Sequence, residues 1–349
     1  MHAIKTGIAS YGMSGLVFHA PLLHVHPGFE MVKIVERSYK GSKERYPNVS
    51  IVRSFEELLH DDELELIIVN TPDATHFEYC KLALDAGKNV VVEKPFTMTV
   101  EEANKLISLS KKQGKLLSVF QNRRWDGDYL TVKNVIQNKM LGRLVSFESH
   151  FDRYRNFIQP DTWKEEPNAG AEIVYNLGAH MIDQAYEMFG MPNSVSADIG
   201  IQRTNGKVDD FYNIVLRYDD IHASLKASYL VREEGPRYIL HGTEGSFLKW
   251  GLDPQEDDLK AGRYPNEQHW GIEPKKFWGK LNTEINGLHY SGRIETIPGN
   301  YLSYYDNIYD VMRQGGELIV KPDQSRDLMR IIEGAIESNQ TGNAVKLLN

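Results

Sequence analysis

The stretch Asn89-Val90-Val91-Val92-Glu93-Lys94-Pro95 carries the clearest local indication of the fold. Three consecutive valines are typical of a strand buried on both faces, as strands of parallel sheets are. Gly87, before the run, is suited to end a helix, and Pro95 after it stops the strand. Glu93 and Lys94 are therefore predicted to lie at the carboxyl end of a buried parallel strand, the edge along which open α/β sheets bind ligands.

Strands and helices are predicted to alternate around this stretch up to residue 120. The predicted strands are 4–10, 29–35, 50–52, 64–69, 90–92 and 116–120. The predicted helices are a short or broken one that opens after residue 15, followed by 40–45, 55–59, 75–86 and 100–113. Alternation of this kind with short connections favours a doubly wound parallel sheet.

The sequence pattern changes after residue 122. A predicted helix at 130–138 is followed by alternating apolar and polar segments at 144–151, 194–201, 212–218, 222–229 and 237–241. Such segments predict an antiparallel sheet with one solvated or partner-covered face. Residues 251–300 are predicted to be mostly loop with short strands, and 307–312 and 326–338 to be helical. We therefore divide the chain into domains 1–122 and 123–349.

Composition excludes several classes of partner. The net charge of −8 gives no global field that would hold nucleic acid or an anionic membrane. The single cysteine, Cys80, rules out a disulfide within the chain and suits a reducing compartment. No signal peptide or apolar run of membrane-spanning length is evident, so the cytoplasm is the expected location.

The turn Ser10-Tyr11-Gly12-Met13-Ser14-Gly15 follows the first strand and precedes a helix. Backbone N–H groups at such a helix start can bind a pyrophosphate, and the glycines allow close approach. Ser10 stands where the G-x-G-x-x-G pattern has its first glycine, so an ordinary tight turn is the alternative. Its place at the start of a βαβ series favours dinucleotide binding.

The end of the second strand bears on the choice of nucleotide. Glu36 lies where an acid would bind the adenosine ribose of NAD, and Arg37 and Ser38 follow it. Arginine and serine suit the 2′-phosphate of NADP, which a carboxylate would repel unless it turned away. NADP is the preferred prediction and NAD the alternative, unless these charges simply face solvent.

Residues 177–189 predict a helix that carries several polar side chains on one face. Asn176, His180, Asp183 and Glu187 follow one another at spacings of four, three and four residues. The face could be solvated, or His180 could be a buried histidine with satisfied hydrogen bonds. A metal site through His180 and Asp183 is disfavoured because the spacing supplies no further ligand, and we predict no metal.

Further candidates follow other strands and are expected to meet near Lys94 at the same sheet edge. They are Asn70, Thr71, Pro72 and His76 after 64–69, then Gln121, Asn122, Arg123 and Arg124 after 116–120. Separate candidates in the second domain are Arg153 and Tyr154, which follow a strand there, and Trp163, which could cap a pocket. Surface charge is the alternative for the arginines, and structural packing for Trp163.

Together these residues resemble the glucose-fructose oxidoreductase / inositol dehydrogenase family (Gfo/Idh/MocA). The resemblance spans nearly the whole chain and rests on the following motifs: Tyr11-Gly12-x-x-Gly15, Asn70-Thr71-Pro72 with His76, Glu93-Lys94-Pro95, Asn122-Arg123-Arg124-Trp125 and Gly178-x-His180-x-x-Asp183. Two stretches, 147–155 and 238–257, look most like bacterial members related to NADP-dependent scyllo-inositol dehydrogenase.

The resemblance implies an N-terminal Rossmann domain with a doubly wound parallel sheet and a C-terminal α+β domain with a large, open, mostly antiparallel sheet. It also implies hydride transfer between a nicotinamide and a sugar or cyclitol carbon, and a homodimer or homotetramer formed through the C-terminal sheet. The alternatives are an NADP-binding regulatory protein and a reductase of another small carbonyl or dihydrodiol.

The resemblance also implies roles for individual residues. Lys94 and His180 are expected to be catalytic with Asn176, and Lys94, Arg124, Arg153, Tyr154, Trp163 and His180 to bind substrate. The cofactor-binding set is Ser10 to Gly15, Arg37, Ser38, Asn70, Thr71, Pro72, His76, Glu93, Lys94 and Asn122. One departure is Asn176, where the family commonly has Asp, because an amide can orient His180 but cannot balance an imidazolium.

Overall fold

The structure is a computed structural model that describes residues 2–38, 41–160, 162, 165–166 and 172–347. The chain forms two compact units. The first comprises residues 1–125, 254–270 and 300–326, and the second comprises 126–253, 271–299 and 327–349. Two later segments of the chain therefore belong to the first unit. Within the described residues, no helix is long and apolar enough to cross a membrane.

The strands, in chain order, are β1 (Ile4–Ile8), β2 (Phe29–Val35), β3 (Ser50–Val52), β4 (Leu66–Val69), β5 (Asn89–Val92), β6 (Leu117–Val119), β7 (Leu144–His150), β8 (Ser194–Gly200), β9 (Phe211–Arg217), β10 (His222–Ser228), β11 (Tyr238–Gly242), β12 (Gly245–Lys249), β13 (Gly279–Ile285), β14 (Leu288–Ile294) and β15 (Val345–Lys346). The α-helices are α1 (Ala20–Val25), α2 (Ser42–Arg45), α3 (Phe55–Leu59), α4 (His76–Asp85), α5 (Val100–Gln113), α6 (Gly127–Gln137), α7 (Ala179–Phe189), α8 (Gln255–Lys260), α9 (Leu302–Gln314) and α10 (Pro322–Thr341).

The first unit contains a parallel sheet with strand order β3-β2-β1-β4-β5-β6. Its central strands are the apolar runs of the sequence, and every residue of Leu66–Val69 and of Val90–Val92 has no exposed surface. The strand order reverses between β1 and β4, so the predicted doubly wound Rossmann sheet is confirmed. Ligands bind at the carboxyl edge beside such a reversal.

Capping residues explain why the predicted bounds of α5, 100–113, agree with the observed helix. The Thr99 hydroxyl accepts a hydrogen bond from the Glu102 N–H at the start of α5, and Gly114 ends the helix with φ 61°. The short or broken helix predicted after residue 15 is a π-helical turn, Gly15–His19, that continues into α1. Pro21 lies in the first turn of α1, where a missing N–H costs little.

The second unit contains a sheet with strand order β14-β13-β12-β11-β7-β10-β9-β8-β15. Its pairings are antiparallel except for the parallel pair of β7 and β10, which confirms the predicted mostly antiparallel sheet. Residues 251–300 contain α8 and the hairpin of two seven-residue strands, β13 and β14. These strands are longer than predicted. The sequence did not indicate β14 because that strand is exposed along most of its length and lacks alternating apolar residues.

Candidate functional site

The turn after β1 is built around Gly15. A Cβ atom at that position would lie 2.2 Å from the Ser10 carbonyl oxygen, so no side chain fits. The same oxygen accepts a hydrogen bond of 2.8 Å from Asn70 Nδ2, which links the ends of β1 and β4. The N–H of Gly12 donates to Ser10 Oγ at 3.1 Å, so the serine in place of the first glycine closes the turn.

Two buried amide side chains at this sheet edge keep polar atoms that have no partner among the described residues. They are Asn70, through Oδ1, and Gln121, through both Oε1 and Nε2. Gln121 follows β6 and is 1% exposed. Buried polar atoms are rarely left unsatisfied, and a polar ligand at the edge would satisfy them. With the close turn at Gly15, this edge fits a dinucleotide.

Glu36 does not extend from the end of β2 as a free carboxylate. It is buried, and its oxygens accept hydrogen bonds from the Gly41 N–H at 2.8 Å, the Ser42 N–H at 3.1 Å and the Ser42 hydroxyl. The carboxylate therefore holds the start of α2, where its charge also suits the helix dipole. The condition for NADP binding raised by the sequence, a carboxylate turned away, is met.

A cavity of about 110 Å³ lies beside Glu36 and contains the guanidinium-bearing residues Arg37 and Arg53. Arg53 Nη1 donates to the Glu36 carbonyl oxygen at 2.6 Å, which anchors the side chain. Phe55 and Tyr79 also line the cavity and stack with their ring centroids 4.4 Å apart. Sequence reasoning missed Arg53, although it follows the weak strand β3 at the same sheet edge.

Lys94 lies after β5 as predicted, partly buried, and the Lys94–Pro95 peptide is cis. Burial lowers the pKa of Lys94, and the nearby carboxylates of Asp73 and Glu93 oppose this shift. The Lys94 N–H donates to Glu93 Oε2 at 3.1 Å. A lysine of lowered pKa at the carboxyl edge can hold a substrate oxygen and exchange a proton with it.

Behind Glu93 lies a buried histidine that the sequence analysis did not identify. His19 places Nε2 3.0 Å from Glu93 Oε1 and Nδ1 2.7 Å from the Tyr305 hydroxyl. Burial alone would raise the pKa of Glu93, but the hydrogen bond from His19 together with the charges of His19, Lys94 and His76 holds that pKa below its usual range. In the sequence, the only indication of this residue was a histidine four positions after Gly15, in the helix that follows the predicted cofactor-binding turn.

His76, predicted to bind the cofactor, is fully buried beneath this edge. Its Nδ1 lies 2.8 Å from the Pro95 carbonyl oxygen and its Nε2 3.0 Å from the Thr71 carbonyl oxygen. Both ring nitrogens thus contact the backbone of the loops after β4 and β5. The observed contacts give His76 a role in joining these loops.

The two arginines after β6 are held inside the first unit. Arg123 pairs with Glu256, whose pKa falls to about 2 because Arg123 and Lys260 together outweigh the effect of burial. Arg124 is 4% exposed and donates to the Ile319 carbonyl oxygen at 3.2 Å and to Gln324 Oε1 at 3.1 Å. These contacts favour a structural role for Arg124 over the predicted contact with substrate, because they occupy donors of a buried side chain.

In the second unit, His180 is the second residue of α7 and is 7% exposed, and Asp183 is 2% exposed. The predicted polar face is therefore largely buried, which excludes the solvated alternative. Asn176 lies in a π-helical turn, Val174–Gly178, which departs from the α-helical spacing used to group these residues. Glu187, further along α7, accepts hydrogen bonds from Tyr129 and Lys133.

The other predicted substrate residues follow β7. Arg153 is partly buried, with its guanidinium 5.1 Å from the centre of the Phe151 ring. Tyr154 is exposed, and its hydroxyl accepts a hydrogen bond from Arg232, which lowers the pKa of the phenol. Trp163 lies outside the described residues. Within the described part of the chain no cluster of His, Cys, Asp and Glu could hold a metal ion.

Comparison with known proteins gives two family matches and several full-length relatives. Residues 4–121 match the oxidoreductase family's NAD-binding Rossmann fold, and residues 133–347 match its C-terminal alpha/beta domain. The scyllo-inositol 2-dehydrogenase (NADP(+)) IolW of Bacillus subtilis is 39% identical over 99% of this chain and 96% of its own. The uncharacterized oxidoreductase YdgJ of Escherichia coli is 40% identical over 96% of both chains.

Solved structures agree over the full length. One from Bacteroides fragilis is 51% identical, with a TM-score of 0.92 over 99% of this chain and 100% of that chain. An oxidoreductase from Bacillus cereus is 33% identical, with a TM-score of 0.92 over 99% of both chains. The chain therefore belongs to the Gfo/Idh/MocA family of oxidoreductases, with an NAD-binding Rossmann domain followed by the family's C-terminal alpha/beta domain.

Proposed function

We propose that the protein is an NADP-dependent dehydrogenase that acts on a secondary alcohol, or the corresponding ketone, of a sugar or cyclitol. The observation that carries the proposal is Lys94, a lysine of lowered pKa at the carboxyl end of β5. The full-length likeness to a dehydrogenase named for scyllo-inositol and NADP(+) supports both the substrate class and the cofactor.

The preference for NADP rests on the side chains after β2 and β3. The Glu36 carboxylate is held by residues 41 and 42, so it does not occupy the place of a ribose-binding acid. Arg37 and Arg53 both line one cavity, which Glu56 also lines, and guanidinium groups match a phosphate in charge and geometry. We assign the 2′-phosphate of the cofactor to this cavity.

In the proposed mechanism, a nicotinamide cofactor held at this sheet edge would supply the capacity to accept or return a hydride. His180 takes the proton of the substrate hydroxyl during oxidation, and Asn176 orients its ring by hydrogen bonding. Lys94 donates a hydrogen bond to the oxygen of the reacting alcohol or ketone and stabilises the negative charge that develops there. Asn70 and Gln121 offer buried amide groups to the dinucleotide at the sheet edge.

Substitution of Lys94 and His180 tests the assignment. Turnover of a panel of inositols, aldoses and uronic acids with NADP and NAD is followed by absorbance of the reduced cofactor. Lys94→Ala and His180→Ala should each lower kcat by about two to four orders of magnitude while leaving cofactor binding intact. Turnover within about tenfold of wild type in both variants would refute these roles.

Asn176 cannot carry the negative charge that an Asp would place beside His180, and this favours a second candidate, an NADP-binding protein that turns over slowly or not at all. Asn176→Asp should raise kcat or move its pH optimum if the missing carboxylate limits His180. NADP binding without turnover on any compound of the panel would favour the second candidate.

We also propose a homodimer or homotetramer formed through the sheet of the second unit and a cytoplasmic location. The exposed apolar side chains of β14 support an interface there, with Leu288 74% exposed. Large exposed apolar residues on a sheet mark an interaction surface. Light scattering coupled to size exclusion should give the mass of two or four chains, and Leu288→Lys should lower it.

A further inference from the structure

His19 lies at the centre of a buried hydrogen-bonded chain that ends next to Lys94. The ring is 0% exposed and packs against Phe120 with the ring centroids 4.4 Å apart. One ring nitrogen contacts the Tyr305 hydroxyl and the other contacts the Glu93 carboxylate. Tyr305 comes from a segment 286 residues away in sequence, and all three residues belong to the first unit.

The hydrogen positions in this chain follow from the available donors and acceptors. Tyr305 is fully buried, and the His19 ring is the hydrogen-bond partner of its hydroxyl among the described residues. The phenol must therefore donate to Nδ1, because a buried O–H without an acceptor is costly. Nδ1 then carries no proton, so the neutral ring carries its proton on Nε2 and donates it to Glu93.

We propose that His19 is a positioning residue: held by Tyr305, it donates the hydrogen bond that keeps the Glu93 carboxylate ionised and oriented beside Lys94. The inference rests on the proposed function of Lys94. Two hydrogen bonds fix the carboxylate, because Oε1 accepts from His19 and Oε2 accepts from the Lys94 N–H. The carboxylate cannot turn away from Lys94 without breaking one of them.

The charged and titratable groups around Glu93 define what its ionisation does. His19, Lys94 and His76 act to lower its pKa, and burial acts to raise it. The charge of Glu93 in turn raises the pKa of Lys94, together with Asp73, against the effect of burial. If Glu93 were neutral, Lys94 would lose part of the support for its positive charge.

A matched pair of substitutions separates the two contacts of His19. The amide of Gln reaches the position of Nε2, so His19→Gln keeps a donor for Glu93. The amide of Asn reaches the position of Nδ1, so His19→Asn keeps only the contact with Tyr305. In His19→Asn we expect kcat/KM at pH 6 to fall by about tenfold or more, since a hydrogen bond to a charged group is lost.

The pH profile distinguishes a positioning role from loss of packing. In His19→Asn the buried Glu93 carboxylate loses one of its two hydrogen bonds, which raises its pKa, so an ionisation of Glu93 is added and the acid limb of kcat/KM steepens. In His19→Gln the acid limb should keep its wild-type slope.

His26 provides the control. His26 is buried, accepts a hydrogen bond from the Gly28 N–H at 2.9 Å and contacts Asp306 at 3.1 Å. Like His19, it therefore uses both ring nitrogens, one of them with a carboxylate, but it lies before β2, at the amino end of that strand. His26→Asn should lower Tm as His19→Asn does, but leave the pH profile unchanged. Equal profiles in His19→Asn, His19→Gln and wild type would refute the proposal.

A measurement independent of activity completes the test. Nitrogen-15 NMR of wild type, with the His19 signal assigned from the His19→Gln spectrum, should show protonation at Nε2 alone. Protonation at Nδ1, or at both nitrogens, would overturn the inferred hydrogen bonding. If no compound of the panel is turned over, the proposed function fails, whereas the NMR result still decides the state of His19.

Discussion

Removal of the guanidinium groups beside Glu36 should convert a preference for NADP into indifference between the two nucleotides. Arg53 is anchored by its 2.6 Å bond to the Glu36 carbonyl oxygen, so it loses little side-chain entropy on binding a phosphate. Arg37 lines the same cavity, and among the described residues no hydrogen bond anchors its guanidinium. The two substitutions, Arg53→Ala and Arg37→Ala, should therefore differ in effect.

The expected losses of NADP affinity follow from the solvent exposure of the two arginines. A hydrogen bond to a charged group contributes about 1.5–3 kcal/mol, and the lower end applies because both side chains are exposed to solvent. Arg53→Ala should weaken NADP binding about tenfold and Arg37→Ala about threefold, with roughly thirtyfold for the pair if the effects add. The affinity for NAD should change by less than about twofold, since NAD lacks the phosphate.

Calorimetric titration with NADP and NAD, at low and at moderate ionic strength, measures these differences. The effect on NADP should shrink as salt screens exposed charges. Lys105→Ala, which removes one positive charge from a surface ion pair with Glu101, is the control and should change neither affinity. Equal weakening of NADP and NAD, or no weakening of NADP in the double variant, would refute the assignment of the 2′-phosphate to this cavity.

Three further substitutions have definite expected outcomes. Gly15→Ala would place Cβ 2.2 Å from a carbonyl oxygen, so cofactor binding measured by calorimetry should be lost. Glu256→Gln should remove the stability that ionised Glu256, with its pKa lowered to about 2, gains from Arg123 and Lys260. That contribution, about 3 kcal/mol, is fully present above about pH 5 and disappears as pH falls toward 2, so wild type and variant should converge in acid denaturation. Lys249→Met should cost about 3–5 kcal/mol in urea unfolding, because it leaves Glu273 buried without its cation, and an unchanged midpoint would contradict this.

The parallel sheet was predictable from the sequence because a strand that is buried on both faces needs an apolar residue at every position. The runs Leu66–Val69 and Val90–Val92 are apolar at every position, and the turn at 10–15 carries its own glycines. The capping residues Thr99 and Gly114 act over a few residues, so they set the ends of α5 without reference to the rest of the chain.

The environment of each functional side chain was less predictable, since it depends on residues that are distant in sequence. The sequence showed Glu36 as a ribose ligand or a repelling charge, and the fold of residues 41–42 gave it another partner. The sequence predicted that Arg124 binds substrate, yet its Nη1 donates to Ile319 and Gln324, which favours a structural role.

Lys94 illustrates the division between the two levels. Its position after a buried valine strand follows from local hydrophobicity and could be read from the chain alone. Its electrostatic state depends on Glu93, and through it on His19 and Tyr305, which are 286 residues apart. Whether a strand is buried can be predicted from the hydrophobicity of its own residues. A pKa depends on charges and hydrogen-bond donors that only the folded chain brings within a few ångströms.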